Sequence, residues 1–273
     1  MRLLLTLIFI CLTQPLLAFP VIEPCQLAPG ASTDRFLIIH GLNLRPEKMQ
    51  DLAAVLGASA STILTLKGHH HYPDFLTATP QQWLQQINRA YCQLKNLNNK
   101  VYFLGFSVGA AYGLLFQHFY PMKKPFAKMV LLAPAIVGRG YISLLKLLSW
   151  WTTLGIPSRS LAAYRAHKST PMNAYNNTFR AMDILRTAHL TSSQVPTLVF
   201  LETQDELIDF TASKAWIAAG QLDLWRVVPL ERKELPLPGQ FHHLMIDSKS
   251  LGQFHWHWMK SLIVEFLQLS PRN

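Results

Sequence analysis

The chain has 273 residues, half of them hydrophobic and only 15% charged, with a formal net charge of +10. That length suits one α/β domain with an insertion, and the composition excludes a chain too polar to build a core. The Lys and Arg residues form no dense runs interleaved with aromatics, so nucleic acid is not an expected partner; the surplus suits an anionic membrane surface, or simply solubility.

Met1-Arg2, a largely apolar run from Leu3 to Leu12, and Pro15-Leu16-Leu17-Ala18 read as a signal peptide over residues 1–18. The run is shorter than the ~20 residues that span a bilayer, so the expected location is secreted or periplasmic. Cys25 and Cys92 then remain, either as one disulfide or as two buried thiols; their separation in sequence does not decide.

Phe36–Ile39 is a short continuous apolar run, as expected of a strand buried on both faces, and it ends in His40-Gly41-Leu42-Asn43. A helix is predicted over 46–57 and a strand over 62–66. A loop, Lys67-Gly68-His69-His70-His71-Tyr72-Pro73-Asp74, follows. Adjacent histidines point in different directions, and no Cys or carboxylate pair stands at ligand spacing, so the triplet reads as loop and no metal is expected. Residues 80–97 predict a helix with Pro80 in its first turn and Trp83, Leu84, Ile87, Ala90, Tyr91 and Leu94 on its apolar face.

The strand Val101–Leu104 leads into Gly105-Phe106-Ser107-Val108-Gly109 and then a helical run. A strand, a one-residue turn and a helix put Ser107 at the apex, its hydroxyl exposed and backbone amides nearby. The strand 128–132 ends at Ala133-Pro134-Ala135, after which β-alternation stops until about Pro196. The nearly all-apolar 141–151 segment reads as a cap over a pocket, with Leu145, Leu148 and Trp151 as candidate substrate contacts. A second helix is predicted over 174–189. Strands 197–201 and 224–228 flank a helix over 211–219, and an amphipathic helix over 250–269 closes the chain. This alternation predicts a mostly parallel sheet with its site at the carboxyl ends of the strands.

A serine needs a base within hydrogen-bond reach, and the base needs a carboxylate to hold its tautomer. Ser107, then Asp205, then His242 or His243 each stand just past a strand in that chain order. In these residues the chain resembles the α/β-hydrolases, over roughly residues 34–267, and within them serine carboxylesterases and monoacylglycerol-lipase-like enzymes. Leu66-Lys67-Gly68-His69 and Trp83 are similar to that group's L-x-G-H loop and following tryptophan, and Asp205-Glu206-Leu207-Ile208 to its acid turn.

The resemblance implies an α/β-hydrolase core over 19–135 and 196–273, with a helical cap over 136–195. It implies an oxyanion hole from the Leu42 and Val108 amides, and a catalytic His five residues before an acidic one. Asp247 is five after His242, so His242 is the expected base. The implied activity is cofactor-independent ester hydrolysis on an acyl lipid or acylglycerol, with amide hydrolysis, acyl transfer or non-catalytic binding as alternatives. His70 stands where a glycine is usual and is expected to narrow the pocket mouth. Glu202 likewise replaces a glycine, and a carboxylate there is the one hint of a peptidase; Glu206 and Asp209 are rival acids.

Overall fold

In the computed structural model, residues 22–121, 124–188 and 195–269 are described; the expected signal peptide lies outside them. Runs of Val, Ile, Leu and Phe bounded by turn residues become strands, the central ones with neither face meeting water. They are β1 (Arg35–Ile39), β2 (Ser61–Leu64), β3 (Val101–Phe106) and β4 (Met129–Leu132). The short β5 (Gly155–Pro157) and β6 (Ser169–Pro171) follow, and then β7 (Thr197–Glu202) and β8 (Trp225–Leu230).

Six of these form one parallel sheet in the order β2-β1-β3-β4-β7-β8. Side chains alternate between its two faces. Leu37, Ile39, Phe103, Leu131 and Val199 join one buried cluster, and Phe36, Ile38, Leu104, Val130 and Leu198 the other. Each such buried side chain contributes roughly 1.5–3 kcal/mol, so the sheet is a stiff platform. The chain runs outward from β1 to β2 and returns to β3 on the other side. The crevice of such a sheet lies at that reversal, between the carboxyl ends of β1 and β3.

Helices α1 (Gln50–Leu56), α2 (Tyr72–Thr77), α3 (Pro80–Leu94) and α4 (Val108–Phe119) come in turn, followed by α5 (Met172–Thr187), α6 (Phe210–Ala219) and α7 (Ser248–Leu267). Helix α3 starts at a capping box, in which Thr79 accepts from the Gln82 amide and the Gln82 side chain returns to Thr79 N–H. It stops three residues short of the expected 97. There the Asn96 side chain takes the N–H groups of Asn98 and Asn99, turning the chain away. Cys92 of α3 is disulfide-bonded to Cys25, which fastens the N-terminal extension to the domain.

Three local expectations change. The histidine loop contains the short helix α2. The stretch between β4 and β7 is not purely helical, because β5 and β6 pair there as a small antiparallel sheet. The 141–151 segment is a 3₁₀ stretch, Gly140–Leu148, with no fully buried residue. Side chains three apart eclipse in a 3₁₀ helix. Ile142, Leu145 and Leu148 accordingly turn inward, while Tyr141, Leu144, Leu147 and Trp150 form an outward stripe, each more than half exposed. Helix α5 packs on α3 and α4, where the Tyr112 hydroxyl donates to Asn177 O at 3.1 Å.

Candidate active site

Ser107 occupies the turn between β3 and α4 with φ 53° and ψ −116°. This left-handed conformation costs a non-glycine residue of order 1–3 kcal/mol, and the surroundings enforce it. A Cβ on Gly105 would lie 2.6 Å from the Ala110 Cα, and one on Gly109 would lie 2.5 Å from the carbonyl oxygens of Ile39 and His40. Only glycine lets β1, β3 and α4 meet so closely. The Ser107 amide donates to Leu132 O at 2.8 Å, which locks the turn to β4.

Three side chains form one hydrogen-bonded row. Ser107 Oγ lies 2.9 Å from His243 Nε2, and His243 Nδ1 lies 2.7 Å from Asp205 Oδ2. Asp205 only accepts when ionised, so Nδ1 carries the ring proton and Nε2 is left to accept from the serine hydroxyl. The other Asp205 oxygen accepts from the N–H groups of Leu207 and Ile208 at 2.7 and 2.9 Å. Burial alone would raise the Asp205 pKa, but His243 and these two amides hold it below the ordinary carboxylate value. The three side chains are almost fully buried.

His242 is not the residue facing Ser107. Its Nδ1 lies 2.9 Å from Glu206 Oε1, and its Nε2 lies 3.2 Å from Arg232 O. Glu206, a rival acid by sequence, also accepts from the His242 and His243 backbone amides, so it clamps the turn that aims the two rings apart. Asp247, whose spacing favoured His242, instead caps α7 and accepts from the Tyr164 hydroxyl. Asp209 caps α6.

Glu202 is also reassigned. It sits fully buried against Arg232, Oε2 to Nε at 2.6 Å, and does not border the cavity that holds Ser107. Arg232 also donates to the carbonyls of Leu244 and Ser250 at 3.1 and 3.0 Å and to that of His242, so the pair supports the histidine loop. With Glu202 withdrawn, the hint of an amine-gripping carboxylate is gone.

Past β1, His40-Gly41-Leu42-Asn43 curls over Ser107. The amides of Leu42 and Val108 border the same cavity as Ser107 and His243 and donate to no described residue. Val108 opens α4, whose N-terminal dipole favours negative charge. Two buried histidines hold this turn, a role that sequence reading missed. His40 Nε2 accepts from Leu66 N–H, and His69 Nε2 accepts from Asn43 N–H, each at 3.1 Å. Their other nitrogens donate to Gly41 O and Leu66 O. The rings lie 4.2 Å apart, and Phe75 packs against His69. His70 and His71 are exposed, and His70 does not border the cavity.

Burial pushes the His40 pKa down to about 4 and that of His69 well below its usual 6.5. The folded value for His40 lies below the unfolded one, so the native state binds fewer protons between them. Stability is therefore complete above about pH 6.5 and falls as pH drops towards 4, with His40 alone contributing a loss of about 3 kcal/mol. Urea unfolding between pH 7 and 4 measures this slope, and His40→Gln is expected to flatten it.

The cavity has a volume of about 440 Å³. Its lining includes Ile142, Leu145, Phe179, Met182 and Ile208, which pack with one buried cluster, and Leu44, Leu161, Tyr164 and Leu244, which pack with the other. Of the expected cap contacts, Leu145 borders the cavity. Leu148 and Trp151 do not, because Leu148 packs on the core and Trp151 stacks on Trp150 at the surface. The insertion is fastened at two places. Arg139 N–H donates to Leu207 O and Asp209 N–H to Val137 O, tying its start to the acid loop. Farther along, the Asn43 side chain holds both backbone groups of His167, at 2.8 and 3.0 Å, and Ala166 N–H donates to Asn43 O.

No protein-family model and no curated protein sequence matches the chain. Solved structures do. A metagenome-derived lipolytic enzyme, of the pair LipS and LipT, superposes with a TM-score of 0.67 at 18% identity, over 90% of this chain and 100% of its own. The monoacylglycerol lipase of Paleococcus ferrophilus gives 0.65 at 13% identity, over 86% and 96%. The monoglyceride lipase of Saccharomyces cerevisiae, in a soluble variant bound to a substrate analogue, gives 0.60 at 14%, over 89% and 90%. At these identities the likeness establishes the α/β-hydrolase fold, and the activity is argued from the site.

Proposed function

We propose that the protein is an exported serine hydrolase of carboxylic esters, acting on acyl-lipid or acylglycerol substrates. The row Ser107–His243–Asp205, set beside two free amides and a largely apolar cavity, carries this reading. Ser107 Oγ attacks the ester carbonyl carbon as its proton passes to His243 Nε2. The Leu42 and Val108 amides hold the tetrahedral oxyanion, each such donor supplying about 3 kcal/mol. The carbon–oxygen bond to the alcohol then breaks, His243 protonates the departing alkoxide, and an acyl-enzyme remains on Ser107. Water deprotonated by the same ring releases the acid and restores the serine. Asp205 stays ionised throughout, in keeping with its lowered pKa.

The apolar lining that includes Ile142 and Met182 suits an acyl chain, and the exposed stripe Tyr141, Leu144, Leu147 and Trp150 suits contact with an anionic membrane surface. The Cys25–Cys92 bond supports an oxidising compartment, outside the cytoplasm. The test is hydrolysis of chromogenic esters of graded acyl length, with mass spectrometry of the protein after treatment with a fluorophosphonate. The expected result is turnover with an optimum chain length and a single adduct on Ser107. A folded protein that turns over no ester and takes no adduct would sink the proposal.

A further inference from the structure

Among the described residues that border the cavity, Arg159 is the one with a permanent charge, and no Asp or Glu is present. It stands at the mouth, exposed, on the turn after β5. Its guanidinium makes no hydrogen bond or ion pair with a described residue. It lies near enough to Tyr141, which also lines the cavity, to act on that phenol electrostatically. The turn itself is braced, with Ser158 N–H donating to Lys168 O at 2.9 Å and Arg165 Nη1 donating to Ser158 O at 3.2 Å. An unpartnered arginine, held by a stiff turn over a carboxylate-free cavity, is available to a ligand anion.

The chemistry of the two substrate halves decides which of them it meets. An acyl chain is apolar and takes the apolar lining, so a charge on the substrate belongs to its alcohol half. We propose that Arg159 selects esters whose alcohol half carries a negative charge, a phosphate or a carboxylate. This rests on the ester-hydrolase reading above. The acyl chain lies against the apolar lining while the anion stays in the solvated mouth, where a charge need not be desolvated.

Soluble short-chain substrates remove any contribution from a lipid surface. In one pair, 2-nitrophenyl butyrate is compared with its 5-carboxy analogue, 3-butyryloxy-4-nitrobenzoate. In the other, 1-butyrylglycerol is compared with its 3-phosphate. The readout is the ratio of kcat/KM, charged over neutral, within each pair, in the wild type, Arg159→Gln, Arg159→Lys and Arg159→Glu. An exposed ion pair predicts a drop of about two- to fivefold in that ratio for Arg159→Gln. Arg159→Lys is expected to keep most of it and Arg159→Glu to lower it further, with the wild-type ratio shrinking in high salt. A drop in the phosphate pair alone assigns phosphate, and in the carboxylate pair alone, carboxylate. Ratios that are the same in wild type and Arg159→Gln for both pairs overturn the proposal while ester hydrolysis stands. If wild type hydrolyses no ester at all, the ester-hydrolase reading falls and this one falls with it.

Discussion

Replacing His243 with alanine is expected to lower kcat by about 10⁴-fold or more, close to the level of Ser107→Ala, because the two act as one unit. His242→Ala is expected to keep kcat within about tenfold of wild type, because its ring binds Glu206 and Arg232 O and not the serine. Both variants should remain folded by circular dichroism, so kcat measured side by side separates them. Equal losses in the two would mean that the turn can present either ring. A loss confined to His242→Ala would reverse the assignment.

Arg232→Met is expected to destabilise the protein by about 3–5 kcal/mol, the cost of leaving one member of a buried ion pair alone. Arg232 and Glu202 have fully buried side chains, so water cannot replace the lost partner. Removing both charges together, in Glu202→Leu/Arg232→Met, is expected to recover most of that loss. The double variant still leaves the carbonyls of His242, Leu244 and Ser250 without their donor, so its kcat should remain below wild type. Urea unfolding and kcat on the three proteins test both statements. Wild-type stability in Arg232→Met would show that the arginine is dispensable to the fold.

Much of the architecture was legible because it follows from local rules. Apolar runs with both faces dry announced β1, β3, β4 and β7, and two glycines around a serine announced the turn at Ser107. Asp205 was legible from its place after β7. The choice between His242 and His243 was not, since neighbours in a turn face opposite ways and loop dihedrals decide which faces inward. Those dihedrals are held by Glu206 and Arg232, from 36 and 10 residues away from His242. The Asp247 spacing misled because the same carboxylate can cap a helix. The insertion was read too simply, for an all-apolar run does not reveal that it winds with period three and leaves half its side chains outside. The Cys25–Cys92 pairing needed the position of the extension on α3, which spacing does not give.

The fastening of the insertion divides the molecule into parts that can change separately. Residues 140–163 contain no buried position, while the segments on either side, 137–139 and 164–167, are tied to the loops bearing Asp205 and Leu42. The span is an arch whose two footings are pieces of the machinery below it. Tyr141 excepted, whose hydroxyl donates to Glu206 O in the acid loop, substitutions in the span can reshape the doorway, and so the range of molecules admitted, without displacing an atom of the reacting centre. A shift of either footing would disturb the acid or the oxyanion donor directly. Drift in substrate preference is therefore expected to collect in the arch, while the footings hold the chemistry constant.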